Sequence, residues 1–395
     1  MKTLDYYNFF NLTTLLRVDF NVPVDKNFKI TDNTRIISII PTINKILNDG
    51  GKIVLISHFG RPKYKLEKKY SFKNIISEII FFLKKKIIFI EDCIGYKVEN
   101  IVNNLKNGEI VLLENLRFYK EEQNGDINFC KKLFKIGDIY VNEAFSASHR
   151  KHSSTFYLPK LFKKKCIGYL FEKEINGINN ILKNGKKPLI SIIGGAKVST
   201  KISVIENIIN IMDYILIGGG MAYTFIKYNG GNIGSSLLEK NQFLNIKKIF
   251  KKLKNSKTKI IFPKDVVASK EFSDNGKKKI YDINNIKKNW QGLDIGPKTI
   301  DIFSKYILLS KTILWNGPLG VFELSSFSKG TFSIAKVIAK ATKNGAFSLI
   351  GGGDSISAIK KIKYEKKFSF ISTGGGAMLE MLEGKNLICI NSIIN

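Results

Sequence analysis

The stretch Pro188–Met212, PLISIIGGAKVSTKISVIENIINIM, carries the fold in outline. It opens on a near-continuous apolar run, Pro188–Gly195, turns through two glycines and goes on as a helix-like run, Val198–Met212. A half-exposed strand alternates apolar and polar residues, whereas a continuous run suits a parallel strand covered on both faces. The same unit recurs in both directions. Toward the C-terminus the runs are Asp213–Gly220, Lys259–Val267, Lys311–Pro318, Ala346–Asp354 and Lys367–Gly376. Toward the N-terminus they are Thr14–Pro23, Lys52–Gly60, Lys86–Cys93, Glu109–Phe118 and Asp138–Phe145. Strands alternating with helices imply βαβ units, so the expected class is α/β with mainly parallel sheets. The helical stretch Gly168–Lys183 separates the two sets, and Asn184-Gly185 ends it. The expected division is a domain over 1–167, a connecting helix over 168–186 and a second domain over 187–376.

Composition supports two domains. A chain of 395 residues usually builds two full cores. Its 44% hydrophobic and 25% charged content is that of a globular protein. The net charge of +31 invites a nucleic-acid reading. The lysines, however, are scattered singly or in short runs such as Lys84–Lys86 and Lys163–Lys165, among the Ile, Asn and Phe that A/T-rich codons favour. Coding bias explains them at least as well as a binding tract, and no specific nucleic-acid partner is expected, although the charge would help draw in an acidic substrate. Cys93, Cys130, Cys166 and Cys389 lack any metal-ligand spacing and read as free thiols of a reducing compartment. Asp5 interrupts any signal-like apolar core, and no apolar run approaches the ~20 residues of a membrane helix. The expectation is a cytoplasmic monomer with no membrane partner.

Arginine is distributed unevenly. Of 64 Lys and Arg residues five are arginine, and Arg17, Arg35, Arg61, Arg117 and Arg150 all lie in the first 150 residues. The three histidines, His58, His149 and His152, lie within the first 152. The planar arginine fork binds carboxylate and phosphate oxygens in pairs, which lysine does not. Five forks and three imidazoles in one region suggest a site for a small anion carrying both groups. Asp19, His58, Arg117 and His149 fall near the carboxyl ends of expected strands, where ligands of α/β sheets bind.

The other half has five glycine-rich turns after strands: Gly194-Gly195-Ala196-Lys197, Gly218–Gly220, Asn316-Gly317-Pro318-Leu319-Gly320, Gly351-Gly352-Gly353-Asp354 and Gly374–Gly376. Glycine lets backbone approach a ligand closely and adopt positive φ. Five such turns at one edge suggest a nucleotide shelf, although no Walker A, protein-kinase or dinucleotide signature is present. Lys197 and Lys201, four apart, would share a face at the start of a helix, as a phosphate site or as two solvated lysines. The free amides at Gly374–Gly376 suit a phosphoryl group. Asp354 reads equally as a helix cap or as a Mg²⁺ ligand. Glu323 reads as a ribose contact or as a surface carboxylate.

Taken together, the motifs resemble those of the phosphoglycerate kinases. They are Arg17–Pro23 (RVDFNVP), Ser57–Pro62 (SHFGRP), Leu113–Phe118 (LENLRF), His149–Thr155 (HRKHSST), Gly194–Lys201 (GGAKVSTK), Gly218–Phe225 (GGGMAYTF), Gly292–Pro297 (GLDIGP), Trp315–Glu323 (WNGPLGVFE), Gly351–Ala358 (GGGDSISA) and Ser372–Ala377 (STGGGA). The resemblance implies two Rossmann-like three-layer α/β/α domains joined by a helix and an interdomain hinge, with the tail 377–395 packing back on the first. It implies reversible phosphoryl transfer between 1,3-bisphosphoglycerate and MgADP, giving 3-phosphoglycerate and MgATP. Asp19, Phe20, Asn21, Arg35, His58, Phe59, Gly60, Arg61, Arg117 and Arg150 would hold the three-carbon acid, and Arg17, His149 and His152 would complete the basic patch. Arg35, Lys197, Gly374 and Gly375 would act on the phosphoryl group in flight. Gly195, Ala196, Lys197, Lys201, Asn316, Gly352, Gly353, Asp354 and Ser355 would serve the nucleotide phosphates and metal. Gly219, Gly220, Gly292, Leu293 and Pro318 would line the adenine slot, and Glu323 would bind ribose. Asp354 would hold the Mg²⁺. The chain departs from the family at Asn142–Ser148 (NEAFSAS for NDAFGTA), at Ser355 for threonine and in a tail lacking Leu-Pro-Gly.

A substrate carboxylate is already ionised at neutral pH, so its attack on phosphorus needs no general base. What remains is alignment and charge stabilisation, and ligands on two domains imply hinge closure. Two other readings are a nucleotide-dependent acid kinase with a different acceptor and a non-enzymatic nucleic-acid binder with a steep salt dependence.

Overall fold

The computed structural model describes residues 2–63 and 66–394. The chain forms two compact units, one of Met1–Ile175 with Asn386–Asn395 and one of Asn176–Lys385. Their strands are numbered through the chain.

In the first unit β1 (Thr13–Arg17), β2 (Lys52–Ile56), β3 (Ile88–Ile90), β4 (Ile110–Leu113), β5 (Ile139–Asn142) and β6 (Lys165–Ile167) form one sheet in the order β3-β4-β2-β1-β5-β6. Every pairing in it is parallel. Successive strand residues go to opposite faces. Leu16, Leu55, Leu112 and Val141 join Ile43, Ile46 and Ile79 in one core. Leu15, Val54, Val111 and Tyr140 join Val98, Val102, Phe129 and Leu133 in another. Two cores on one sheet are why these strands read as continuous apolar runs. The short β6 was not expected from sequence, because its KCI ends a run of lysines.

In the second unit β7 (Leu189–Ile193), β8 (Tyr214–Ile217), β10 (Lys259–Ile261), β15 (Thr312–Asn316), β16 (Phe347–Gly351) and β17 (Phe370–Ile371) form a second parallel sheet, ordered β10-β8-β7-β15-β16-β17. Trp315, Ile313 and Ile190 pack against Phe303 and Ile307 of helix Pro297–Leu309 and Ile334 and Ile338 of helix Lys329–Lys343. The single strand expected over Lys259–Val267 is two. Pro263, which has no N–H to give a ladder, separates β10 from β11 (Asp265–Ser269). Strand β11 lies instead in an antiparallel sheet between β12 (Lys278–Asp282) and β14 (Gln291–Ile295). A parallel pair, β9 (Asn232–Ile233) with β13 (Asn285–Ile286), completes this unit's strands among the described residues.

The tail divides. Helix Gly376–Leu382 buries Ala377, Met378 and Leu382 within the second unit, beside helix Ile202–Ile208, so the second unit runs on past 376 to Lys385. Only the segment from Asn386, with helix Ile388–Ile394, belongs to the first. The helix Tyr169–Leu182 contains the boundary between the units rather than filling a separate segment. Among the described residues no helix is long and apolar enough to cross a membrane.

Candidate active site

In the first unit the loops after β1, β2, β4 and β5 bring the arginines together. Asp19, two residues past β1, is a hub. Its Oδ2 takes the Arg35 guanidinium at 2.9 Å and the Ser146 hydroxyl, and its Oδ1 accepts the Asn21 N–H at 3.1 Å. The same Arg35 nitrogen also donates to the Asn21 carbonyl at 2.8 Å. The Asn21 side chain accepts the Gly60 N–H at 2.9 Å, and Gly60's carbonyl accepts from Arg117 at 2.7 Å. Arg61, Arg117 and Arg150 with Lys63 and Gln123 line a cleft of about 580 Å³ in which no carboxylate stands. The Arg117 Nε is buried with no hydrogen-bond partner, and burial beside Arg17 and Arg150 lowers its pKa to about 10. Four positive groups with no acid among the described residues lining the cleft are repulsive among themselves, so an anion is the natural complement.

The altered Asn142–Ser148 loop is well held. Ser148 Oγ donates to the Ala144 carbonyl at 2.9 Å, and the Cys389 N–H and thiol reach the carbonyls of Ser148 and Arg150 at 3.2 and 3.4 Å. The tail segment thus braces the loop that carries Arg150. Glu143 is buried, bonded to Thr42 and to the N–H groups of Leu170 and Phe171 at the start of helix Tyr169–Leu182. Burial pushes its carboxyl up to about 7.

Three expected ligand residues have other duties. Arg17 is 1% exposed, with its fork spent on Ser154, the Val18 carbonyl and His58. Phe20 and Phe59 are core residues, packed against Phe72 at ring-centroid distances of 6.4 and 5.9 Å. Their N–H groups bond Ser57 Oγ and Asn115 Oδ1. RVDFNVP and SHFGRP therefore mix core and site positions, which residue type alone does not separate.

Their surroundings keep His58 and His152 neutral. Burial, reinforced by the surrounding arginines, holds His58 well below the usual imidazole range and His152 down to about 3. Since the unfolded chain takes up these protons near pH 6.5 and the folded one refuses them, stability is full above 6.5 and falls as pH drops toward 3. Replacing His152 by Asn removes one such proton. Between pH 7.5 and 5 the wild type should lose about 1–2 kcal/mol more than this variant, read from urea midpoints.

In the second unit all five glycine turns stand at the carboxyl ends of strands of one sheet. All but Gly374–Gly376 contribute to a pocket of about 490 Å³ lined by Gly195, Ala196, Gly219, Gly220, Gly292, Leu293, Pro318, Glu323 and Asp354, with Tyr223, Leu237, Phe272, Gln291 and Leu324. Mostly apolar walls with a carboxylate at the rim suit a planar heterocycle carrying a polar tail. Phe272, 63% exposed, had no signal in the sequence, because it sits in the loop between β11 and β12.

Several expectations change here. Lys197 and Lys201 do not share a helix face. A 3₁₀ turn, Val198–Thr200, intervenes, with Thr200 Oγ1 donating to the Lys197 carbonyl at 2.9 Å, and the helix begins only at Ile202. Such local hydroxyl bonds compete with helix. Lys197 is exposed, whereas Lys201 reaches back to Asn316 Oδ1, and burial lowers its pKa. Asn316 is 2% exposed and its Nδ2 has no partner. Asp354 is not a cap: the helix starts at Gly353 with Gly352 as N-cap, and Asp354 lies in the first turn, in the field of Lys201. Ser355 is buried, its Oγ accepting the Gly317 N–H at 2.7 Å, so it holds the turn. Gly374 N–H already bonds Ser372 Oγ at 3.1 Å. Gly375, at φ +50°, is the N-cap of helix Gly376–Leu382.

Known proteins agree with this architecture. The family model described as phosphoglycerate kinase matches residues 4–385. A phosphoglycerate kinase of Chlorobium phaeobacteroides (strain BS1) is 44% identical over 379 residues, which cover 96% of each chain. The "Phosphoglycerate kinase 3, cytosolic" of Arabidopsis thaliana is 44% identical over 95% of this chain and 93% of its own. Among solved structures, the phosphoglycerate kinase from Coxiella burnetii superposes with a TM-score of 0.90 at 34% identity, covering 100% of this chain and 98% of that one. With both parallel sheets, the arginine cleft and the glycine-framed pocket described, this chain belongs to the phosphoglycerate kinase family.

Proposed function

We propose a division of labour for the reaction of this family, the reversible transfer of a phosphoryl group between 1,3-bisphosphoglycerate and MgADP to give 3-phosphoglycerate and MgATP. The first unit holds the three-carbon acid and the second the nucleotide. The observation that carries this is the acid-free cleft of Arg61, Arg117 and Arg150, whose forks match a phosphate dianion. Arg35, fixed by Asp19 and the Asn21 carbonyl, keeps its remaining donors for the carboxylate end. The neutral His58 offers a hydrogen bond without adding charge.

On the nucleotide side Pro318, Leu293 and the flat backbone at Gly219 and Gly292 take the base, Glu323 the ribose, and Lys197 with Lys201 the phosphates. Among the described residues no cluster of three or more His, Cys, Asp or Glu could hold a metal. With Glu323 given to the ribose, Asp354 is the pocket carboxylate left for an ion whose other ligands are nucleotide phosphates and water, and it is the residue that would hold Mg²⁺. Mg²⁺ neutralises charge on the phosphate oxygens. The acceptor carboxylate attacks phosphorus directly, and Arg35 and Lys197 stabilise the charge spread over the equatorial oxygens as the units close. Cytoplasmic location and a monomeric state belong to the same reading; one relative at 44% identity is described as cytosolic.

An acceptor screen tests it. With ATP and Mg²⁺, ADP release should be rapid with 3-phosphoglycerate and at least a hundredfold slower with glycerate, which lacks the phosphate the three arginines require. Equal rates would remove the role given to the cleft. In the same assay Asp354→Asn should raise the KM for MgATP roughly tenfold or more, since even a residue that only supports a metal ligand is worth that much, and leave that for 3-phosphoglycerate within twofold.

A further inference from the structure

A buried chain of side chains runs from Glu122 through Ser154 and Arg17 to His58. Glu122, on the short helix Lys120–Asn124, is fully buried, although the surrounding Lys-Glu-Glu-Gln-Asn reads as surface. Its two oxygens are both taken by one residue. Oε1 accepts the Ser154 hydroxyl at 2.6 Å, and Oε2 accepts the Ser154 N–H at 2.9 Å. Since the Ser154 proton points at Glu122, its oxygen lone pairs face the other way and accept Arg17 Nε–H at 2.8 Å. The far side of the Arg17 fork meets His58 Nδ1 at 3.2 Å. A guanidinium has donors only. His58 Nδ1 must therefore be the lone-pair nitrogen, and its proton must sit on Nε2. The carboxylate sets the direction of the Ser154 links, and the guanidinium, a donor in every case, sets that of the His58 link.

Charge points the same way. Arg17 is a buried cation, and Glu122, two hydrogen bonds away, is a buried carboxylate in its field. Burial raises the Glu122 pKa, while Arg17 and the Ser154 bonds work against that rise. A buried charge that loses its partner is costly, so Arg17 holds its place only while Glu122 stays.

We propose that Glu122, acting through Ser154 and Arg17, is a positioning residue for the acceptor site: it fixes the tautomer and orientation of His58, so that Nε2–H is the donor offered to the three-carbon acid. This rests on the acceptor role given to His58 above. It also gives Arg17 a task that its burial allows, in place of ligand contact.

The experiment joins ring-nitrogen NMR to kinetics on the full-length protein. In wild type, His58 should show an unprotonated Nδ1 and a protonated Nε2. In Glu122→Gln the two nitrogens should become mixed, and kcat/KM for 3-phosphoglycerate should fall at least tenfold, with KM for MgATP within twofold. If Glu122→Gln does not fold, Ser154→Ala removes only the bridging hydroxyl and should give the same pattern, with Ser154→Thr, which keeps it, restoring wild-type values. A protonated Nδ1 in wild type would overturn the proposal. So would variants that keep the wild-type nitrogen pattern and kinetics, or that lose both substrates equally along with thermal stability. Wild type inactive on 3-phosphoglycerate would refute the functional reading instead, and the nitrogen spectra would still judge the relay.

Discussion

Arg35→Lys should lower turnover by about 10²–10³-fold, the usual result of losing one preorganised donor to transition-state charge, with KM for MgATP staying within twofold. The size follows from geometry. One nitrogen of the Arg35 fork is fixed by Asp19 at 2.9 Å and the Asn21 carbonyl at 2.8 Å. The planar group then presents its other donors in a set direction. A lysine keeps the charge and satisfies Asp19, but the remaining donors of an ammonium lack the fixed planar direction of the fork. Steady-state rates in both directions should fall by the same factor, because forward and reverse transfer share one transition state. A lysine variant with half or more of wild-type turnover would show that charge alone suffices.

Gly219→Ala is expected to abolish nucleotide binding, with KM for MgATP raised a hundredfold or beyond saturation, and to destabilise the fold. Gly219 sits at φ +65°, and a Cβ there would lie 2.8 Å from Gly195 N, Gly195 O and Pro318 O. These are backbone atoms of two neighbouring turns, so no side chain can rotate aside. Relief requires Gly195 or Pro318 to move, and both line the pocket. Gly230→Ala separates the two costs. Its φ is +90°, but a Cβ would meet nothing within 4 Å. It should lose only the ~1–3 kcal/mol of a strained backbone, seen in denaturant midpoints, with kinetics unchanged. Equal kinetic losses in both variants would mean that conformation, and not crowding at the pocket, explains the glycine.

How legible was this in the sequence? Of the twelve strands in the two six-stranded sheets, all but β6 overlap their expected runs, because strands such as Leu15-Leu16 and Val54-Leu55 feed two cores at once and so leave an unbroken apolar signature. The exceptions are instructive. Strand β6 is three residues at the end of a lysine run, and β10 is cut short by Pro263. Strand β12, KKIYD, is exposed along most of its length and has no apolar pattern to read. At the site, the arginine inventory led to the cleft, but it could not tell a solvent-facing fork such as Arg61 from the buried Arg17. Glu122 was invisible for the same reason in reverse: its burial depends on Ser154, 32 positions away, and not on its neighbours. Ser146, standing where the family usually has glycine, is seen to matter only once its hydroxyl is found on Asp19.

The most direct test of the central claim is a crystal structure with 3-phosphoglycerate bound. The account predicts the ligand in the first unit, its phosphate held by Arg61, Arg117 and Arg150 and its carboxylate end toward Arg35. The ligand bound elsewhere, or bound there with its phosphate away from all three arginines, would contradict it.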